Sequence, residues 1–245
     1  MKIGVRIRAY WLREGDDDLR FLKQIGVDCV GFPLDMLQGY RSTGSFDRED
    51  IKRLVERLGA IGLTVEGATA PGPICQDALL GRPNSPRQIE KLCQAVQALG
   101  EVGIPLLSVH CFYAATLIQK AQPAPGSRPA SNPPGHPTFD MAIALADQEQ
   151  PGWTLELGRG GYRYPAFRLD AFQSINFEPT MHISDDRLWA NLIAMYKELI
   201  PVAEMAGVKV AMHGNDPPLP WACGNPQILC NFADFDRLFT EVPSP

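Results

Sequence analysis

His213 ends an apolar run, Val208–Met212, and is followed by Gly214, Asn215, Asp216 and two prolines. A neutral imidazole with a carboxylate three residues on suits a first-row divalent ion, the carboxylate acting as a ligand or as support behind one. The same letters also make an ordinary proline-stiffened turn. The residues alone leave both readings open. His110 and Cys111 close another apolar run, and since adjacent strand residues point to opposite faces, one of the two looks inward. His110 is then a ligand-facing group or a satisfied core histidine. Glu66, placed at the end of a third run near the same rim, could bind a hydroxyl or act as a base; its plain alternative is a solvated or ion-paired acid. Arg8, after the first run, offers a bidentate fork for a ligand carboxylate, or an ordinary ion pair. His136 and His182 sit in loop and helix-entry contexts and read as structural. Gly158-Arg159-Gly160-Gly161 lacks the strand-to-helix frame of a phosphate loop.

These groups need elements to hold them. Residues 2–8 alternate apolar with polar or glycine, as a strand does. Leu19, Leu22 and Ile25 follow at helical spacing, and Gly26 stands where a helix-ending glycine belongs. Val27–Leu34 reads as a second strand. Asp47 opens a helix with Asp50 three residues on, the pattern of a capping box. Its apolar face is Ile51, Leu54, Val55, Leu58 and Ile61, and Gly62 ends it. Leu63–Ala68 is a third strand. Ser85-Pro86 with Gln88 gives an N-cap, an N1 proline and a capping partner for a helix with stripe Ile89, Leu92, Val96 and Leu99. Gly103 precedes a fourth strand, Leu106–Phe112. Ser184-Asp185 starts a long helix through Pro201, where a backbone donor is lost, and Gly207 precedes the fifth strand, Val208–Met212. Asn231 with Asp234 caps the last helix.

Strands alternating with one-sided helices imply a parallel α/β sheet, and nearly all-apolar strands favour a (β/α) TIM barrel. Such enzymes carry their catalytic groups at the C-terminal strand ends, which is where His110 and His213 fall. Five βα units are read where a closed barrel has about eight, so the expectation is one incomplete barrel domain over residues 1–245. Residues 114–183 break the rhythm, Pro-rich over 121–137 and then aromatic (Trp153, Tyr162, Tyr164, Phe167, Phe172, Phe177). They read as an insertion on a βα loop after strand 4, ordered in its second half.

Composition bounds the rest. The chain has 245 residues, 45% hydrophobic and 21% charged, ordinary for a globular protein. A net charge of -5 without a basic cluster argues against nucleic acid. No apolar run is long enough to cross a bilayer, and Met1-Lys2 leads into a strand rather than a signal peptide; the expected location is cytoplasmic. The six cysteines (Cys29, Cys75, Cys93, Cys111, Cys223, Cys230) are scattered, without a CxxC pair or a disulfide framework.

The run Ile200-Pro201-Val202-Ala203-Glu204 through Gly207-Val208 to His213-Gly214-Asn215-Asp216-Pro217-Pro218 resembles the mannonate dehydratase signature, in which a helix ending I-P-V-A-E and a strand lead to H-P-D-D-P-P. The likeness continues through Pro220, Gly224-Asn225-Pro226 and Ile228. Arg8 and Tyr10 fall near that family's opening R-W-Y, and Glu66 near its V-E-S. The resemblance implies a xylose-isomerase-like barrel and a hydro-lyase of hexuronate catabolism, converting D-mannonate to 2-dehydro-3-deoxy-D-gluconate and water. It also implies Mn²⁺ or Fe²⁺ bound by His213, with the other ligands beyond residue 245. Asp216 would support the site as a catalytic residue, with Arg8, Tyr10, Glu66, His110 and Asn215 around a small sugar-acid substrate. Gly214 and Asn215 stand where the family shows proline and aspartate. Two other readings stay open: a xylose-isomerase-like isomerase or epimerase on a neutral sugar, and a non-catalytic barrel remnant. Homo-oligomerisation is left open as well.

Overall fold

The computed structural model describes residues 1–7, 9–12, 15–43, 46–70, 72–110, 153–157, 163–167, 182–215, 218–222 and 224–244. Five parallel strands form the main sheet: β1 (Gly4–Arg6), β2 (Cys29–Pro33), β3 (Thr64–Thr69), β4 (Leu106–His110) and β7 (Lys209–His213). They lie in chain order, β1-β2-β3-β4-β7. A strand order that never reverses, with the right-handed crossover that parallel strands almost always use, winds the helices onto one face. This is the single winding of a barrel wall rather than the double winding of an open nucleotide-binding sheet. Among the described residues β1 and β7 are the two edges.

The helices between strands are α1 (Asp17–Gln24), α2 (Gln38–Thr43), α3 (Arg48–Ala60), α4 (Gln76–Leu80), α5 (Ser85–Glu101) and α6 (Asp185–Ala206). Their buried stripes are those the periodicity predicts: Ile51, Leu54 and Leu58 on α3, and Ile89, Leu92, Val96 and Leu99 on α5. They meet Val30, Phe32, Leu107 and Val109, each at most 1% exposed, in one continuous apolar layer. Burying each such side chain contributes roughly 1.5–3 kcal/mol. A helix, a left-handed glycine and a strand recur as a unit, with Gly26, Gly62, Gly103 and Gly207 all at positive φ. Gly100 answers a different demand: α5 runs so close to α6 that a Cβ there would collide with the carbonyl of Ala206 and come within 2.9 Å of its Cβ.

Three local expectations change. Gln88 does not close a capping box on α5. Its Oε1 accepts from the amides of Asp77 (2.7 Å) and Ala78 (3.0 Å), so it caps α4 instead, while Asn84, without a side-chain cap bond, precedes α5. Asp47 does cap α3, accepting from Glu49 N at 2.9 Å, but Asp50 reaches to Gly39 N at 2.5 Å, where it ties α2 to α3. Glu66 is the extra residue of a β-bulge between β2 and β3, where Val30 pairs with Val65 and Gly31 with Gly67. Asn231 caps the last helix as read, accepting from Asp234 N, and at the start of the long helix Ser184 accepts from Arg187 N.

Between β4 and α6 in the chain, β5 (Trp153–Leu157) and β6 (Arg163–Phe167) form an antiparallel pair; the rest of 114–181 lies outside the described residues. After β7, the short strands β8 (Trp221–Ala222) and β9 (Asn225–Pro226) lead to α7 (Phe232–Glu241). A groove of about 580 Å³ runs beside β7, lined by Tyr196, Ile200, Val210, Met212, Leu238 and Phe239 among others. No helix among the described residues is long and apolar enough to cross a membrane.

Candidate functional site at the ends of β4 and β7

β4 and β7 pair over five consecutive residues, from Leu106↔Lys209 to His110↔His213. In a parallel pair, partners face the same side of the sheet. Leu107 and Val109 take the helix-covered face, both fully buried, and Ser108 and His110 take the other. The two histidines are thus brought side by side by register. Their ring centroids lie 4.6 Å apart with an interplanar angle of 26°.

The two rings are held differently. His213 is exposed, and its Nδ1–H donates to the carbonyl of Gly214 at 2.7 Å. A carbonyl only accepts, so Nδ1 carries a proton in this contact, and Nε2 is the nitrogen that the neutral ring has for a ligand. His110 is half-buried. Burial first, then the nearby imidazole of His213, then the charge of Arg6 lower its pKa to about 4. His110 is therefore a neutral imidazole at ordinary pH.

Arg6, which the sequence reading did not single out, also lies on this face. Strand alternation is the signal that points to it: Ile7 is fully buried and Val5 packs on the core, so Arg6 between them takes the opposite face. Its charge is felt at His110. That face therefore carries two imidazoles at the ends of β4 and β7 and, lower on the ladder through Gly31 and Gly67, a guanidinium.

The remaining candidates divide. Arg8 and Asp216 lie outside the described residues, as do Cys111 and Cys223. Tyr10 is in the one-turn helix Ala9–Leu12, and its side chain lies outside the described set. Glu66 is not at the rim. The Thr69↔Ser108 pairing puts it about five strand positions below His110, roughly 16 Å at the usual rise per residue. There it makes an exposed ion pair with Lys2 at 2.5 Å. The hydrogen bond from Lys2 holds its carboxyl below the ordinary value. The physical reason is that β3 runs three residues beyond Glu66 and ends at Thr69. Asn215 is 8% exposed, and its side chain is engaged inside the loop, with Nδ2 donating to Ile228 O at 3.3 Å. It is not presented as an open hydrogen-bonding group. His182 sits with Nδ1 3.3 Å from the Gly224 carbonyl, which fits the structural role read for it.

As donors for a metal, His213 Nε2 and His110 fit a first-row divalent ion, which imidazole nitrogen suits. They are two donors, and among the described residues no group of three or more His, Cys, Asp or Glu is placed to hold an ion.

A singly wound parallel sheet with functional groups at its C-terminal strand ends defines a (β/α) barrel wall, and the known structures that resemble it make it xylose-isomerase-like. The mannonate dehydratase of Streptococcus suis serotype 2 superposes with a TM-score of 0.67 at 22% identity, covering 100% of this chain and 60% of that one. A putative xylose isomerase from Rhodospirillum rubrum superposes with 0.54 at 13% identity, covering 100% and 62%. The chain belongs to the D-mannonate dehydratase (UxuA) family, whose model matches residues 5–245. The mannonate dehydratase of Thermotoga neapolitana is 26% identical over 207 residues, or 80% of this chain and 54% of its own length. That of Lactococcus lactis subsp. cremoris is 24% identical over 241 residues, covering 96% and 64%. The chain thus spans between half and two-thirds of the length of these relatives.

Proposed function

We propose that this chain supplies five βα units of a metal-dependent hydro-lyase that converts D-mannonate to 2-dehydro-3-deoxy-D-gluconate. The observation that carries the reading is the His110–His213 pair at adjacent strand ends in a member of this family. In this reaction the C2 proton and the C3 hydroxyl leave as water, and the enol so formed becomes the 2-keto acid. His213 would hold the metal through Nε2, with His110 beside it and further ligands from outside the described residues; Mn²⁺ or Fe²⁺ suits such a donor set. A divalent ion bound there would stabilise the negative charge that builds as the C2 proton leaves.

The chain's own groups do the rest. The Gly214 carbonyl fixes the His213 tautomer, as an outer partner does for a metal-binding imidazole. His110, kept neutral, adds no charge that would repel a cation. Arg6 places positive charge on the same face, which favours an acid substrate over a neutral sugar. Asp216, next to Asn215 in the chain, is assigned to supporting the site, and Arg8 and Tyr10 to the substrate. Segment 114–183 is assigned as an insertion on the loop after β4, on the catalytic side. A cytoplasmic location goes with this assignment.

The test is to supply the protein containing this chain with Mn²⁺ or Fe²⁺ and D-mannonate, and to follow formation of the 2-keto-3-deoxy acid. Turnover that His213→Ala lowers by several orders of magnitude supports the reading. Turnover of aldoses or ketoses, with none of any hexonate, would replace it with an isomerase or epimerase. No turnover of either class would leave a non-catalytic barrel.

A further inference from the structure

The Gly214–Asn215 peptide unit has its two ends engaged on opposite sides. Its carbonyl accepts from His213 Nδ1 at 2.7 Å. Its N–H, on Asn215, donates to the carbonyl of Leu229 at 2.9 Å. Because a trans peptide is planar, with C=O and N–H antiparallel, holding the N–H on Leu229 aims the carbonyl at the imidazole. The side chain of Asn215 adds a second tie from the same residue, Nδ2 to Ile228 O at 3.3 Å. Two adjacent carbonyls, Ile228 and Leu229, therefore grip one residue.

Two features indicate that this clamp is kept for placement rather than for stability. Leu229 is one of the two non-glycine residues at positive φ among those described, at φ 63°, and is only 2% exposed. A branched side chain there carries backbone strain. Asn215 Oδ1 is buried with no hydrogen-bond partner, a cost that a residue selected only for stability would not carry. Rotating the amide would not relieve it, since Oδ1 would then face the Ile228 carbonyl, and an oxygen cannot donate.

We propose that Asn215 is a positioning residue for His213: clamped to Ile228 and Leu229, it orients the Gly214 carbonyl that keeps the His213 proton on Nδ1 and presents Nε2 to the site. The inference rests on His213 being the functional imidazole, but its test does not depend on the reaction. Asn215→Ala keeps the backbone tie to Leu229 and removes both the Ile228 tie and the unpartnered oxygen. Asn215→Asp keeps the shape and cannot donate to Ile228. Neither change enlarges a side chain in the buried loop.

The experiment is long-range ¹H–¹⁵N correlation of the histidine rings in the metal-free protein, with His213 assigned by the signals lost in His213→Gln. The unsubstituted chain is expected to show His213 in the Nδ1–H form. Both Asn215 variants are expected to lower the ratio of that form to the Nε2–H form by roughly three- to ten-fold, the scale of one net hydrogen bond. The His182 ring, at the other side of the 218–226 segment, serves as an internal control and should not change. A His213 ring in the Nε2–H form in the unsubstituted chain, or an Nδ1–H population unchanged in both variants, overturns the proposal. A shifted tautomer in a protein that dehydrates no hexonate would sink the functional reading and leave the positioning role standing.

Discussion

The ring of His110 lies 4.6 Å from that of His213 because the two residues are register partners at the ends of adjacent parallel strands. They are 103 positions apart in a chain of 245 residues, and only the pairing of β4 with β7 makes them neighbours. Half-buried against a second imidazole and within reach of Arg6, His110 resists protonation.

That resistance has a pH signature. An ordinary histidine titrates near 6.5 and His110 near 4, so between those values the unfolded chain binds a proton that the folded chain refuses. Stability contributed by the neutral ring is therefore present above about 6.5 and is lost as pH falls through that window toward 4. Ring NMR titration of the folded protein should show His110 neutral at pH 5. Removing the neighbouring imidazole with His213→Ala should move its midpoint upward, though not all the way, since burial is the larger cause. A His110 midpoint at the ordinary value would refute this account.

The close approach of α5 to α6 gives a matched pair of substitutions. Gly100→Ala must push Ala206 away or distort α5, and we expect a loss of about 1–3 kcal/mol, the usual cost of overpacking. Gly59→Ala, on exposed α3 with nothing within 4 Å of the new Cβ, should instead stabilise by about 0.5–1 kcal/mol through helix propensity. Urea midpoints of the two variants should move in opposite directions. Equal shifts of one sign would mean that the α5–α6 packing is not as close as described.

Gln88 caps the helix before its own. Replacing it with alanine should expose the Asp77 and Ala78 amides to faster hydrogen exchange and cost about 1–2 kcal/mol. The first-turn amides of α5 should exchange as before. If instead the start of α5 loses protection, Gln88 is the capping-box partner that its spacing from Ser85 suggests.

Glu66 provides a negative control for the site. With its carboxylate on Lys2, well below His110 and His213 in the sheet, Glu66→Gln should leave the melting temperature unchanged and, on the proposed function, turnover of D-mannonate within two-fold of the unsubstituted protein. A loss of ten-fold or more would return Glu66 to the substrate.

Local elements were legible in this sequence because their signals are local. The stripes of α3 and α5, the glycines after each helix, the Asn231 cap and the helix start at Ser184 are set by residues a few positions apart, within reach of one another as soon as the turn forms. The capping reading of Gln88 failed for the same reason. Spacing from Ser85 names a partner in the same helix, and it cannot show that α4 folds back to within 3 Å. The bulge at Glu66 was invisible because strict alternation has no letter for an extra residue, and one insertion changes the facing of every later residue in the strand.

By itself the sequence determined five βα units, their order, and the fact that His110 and His213 close strands, since hydrophobic periodicity and glycine placement are properties of the chain alone. Tertiary structure decided which strand ends meet. It placed β7 beside β4, set the register that stacks the two imidazoles, turned Arg6 to their face, left Glu66 lower in its strand on Lys2, and locked Asn215 under the Ile228 and Leu229 carbonyls. These are contacts between residues far apart in the chain, and they exist only once the sheet has paired and its helices have covered one side.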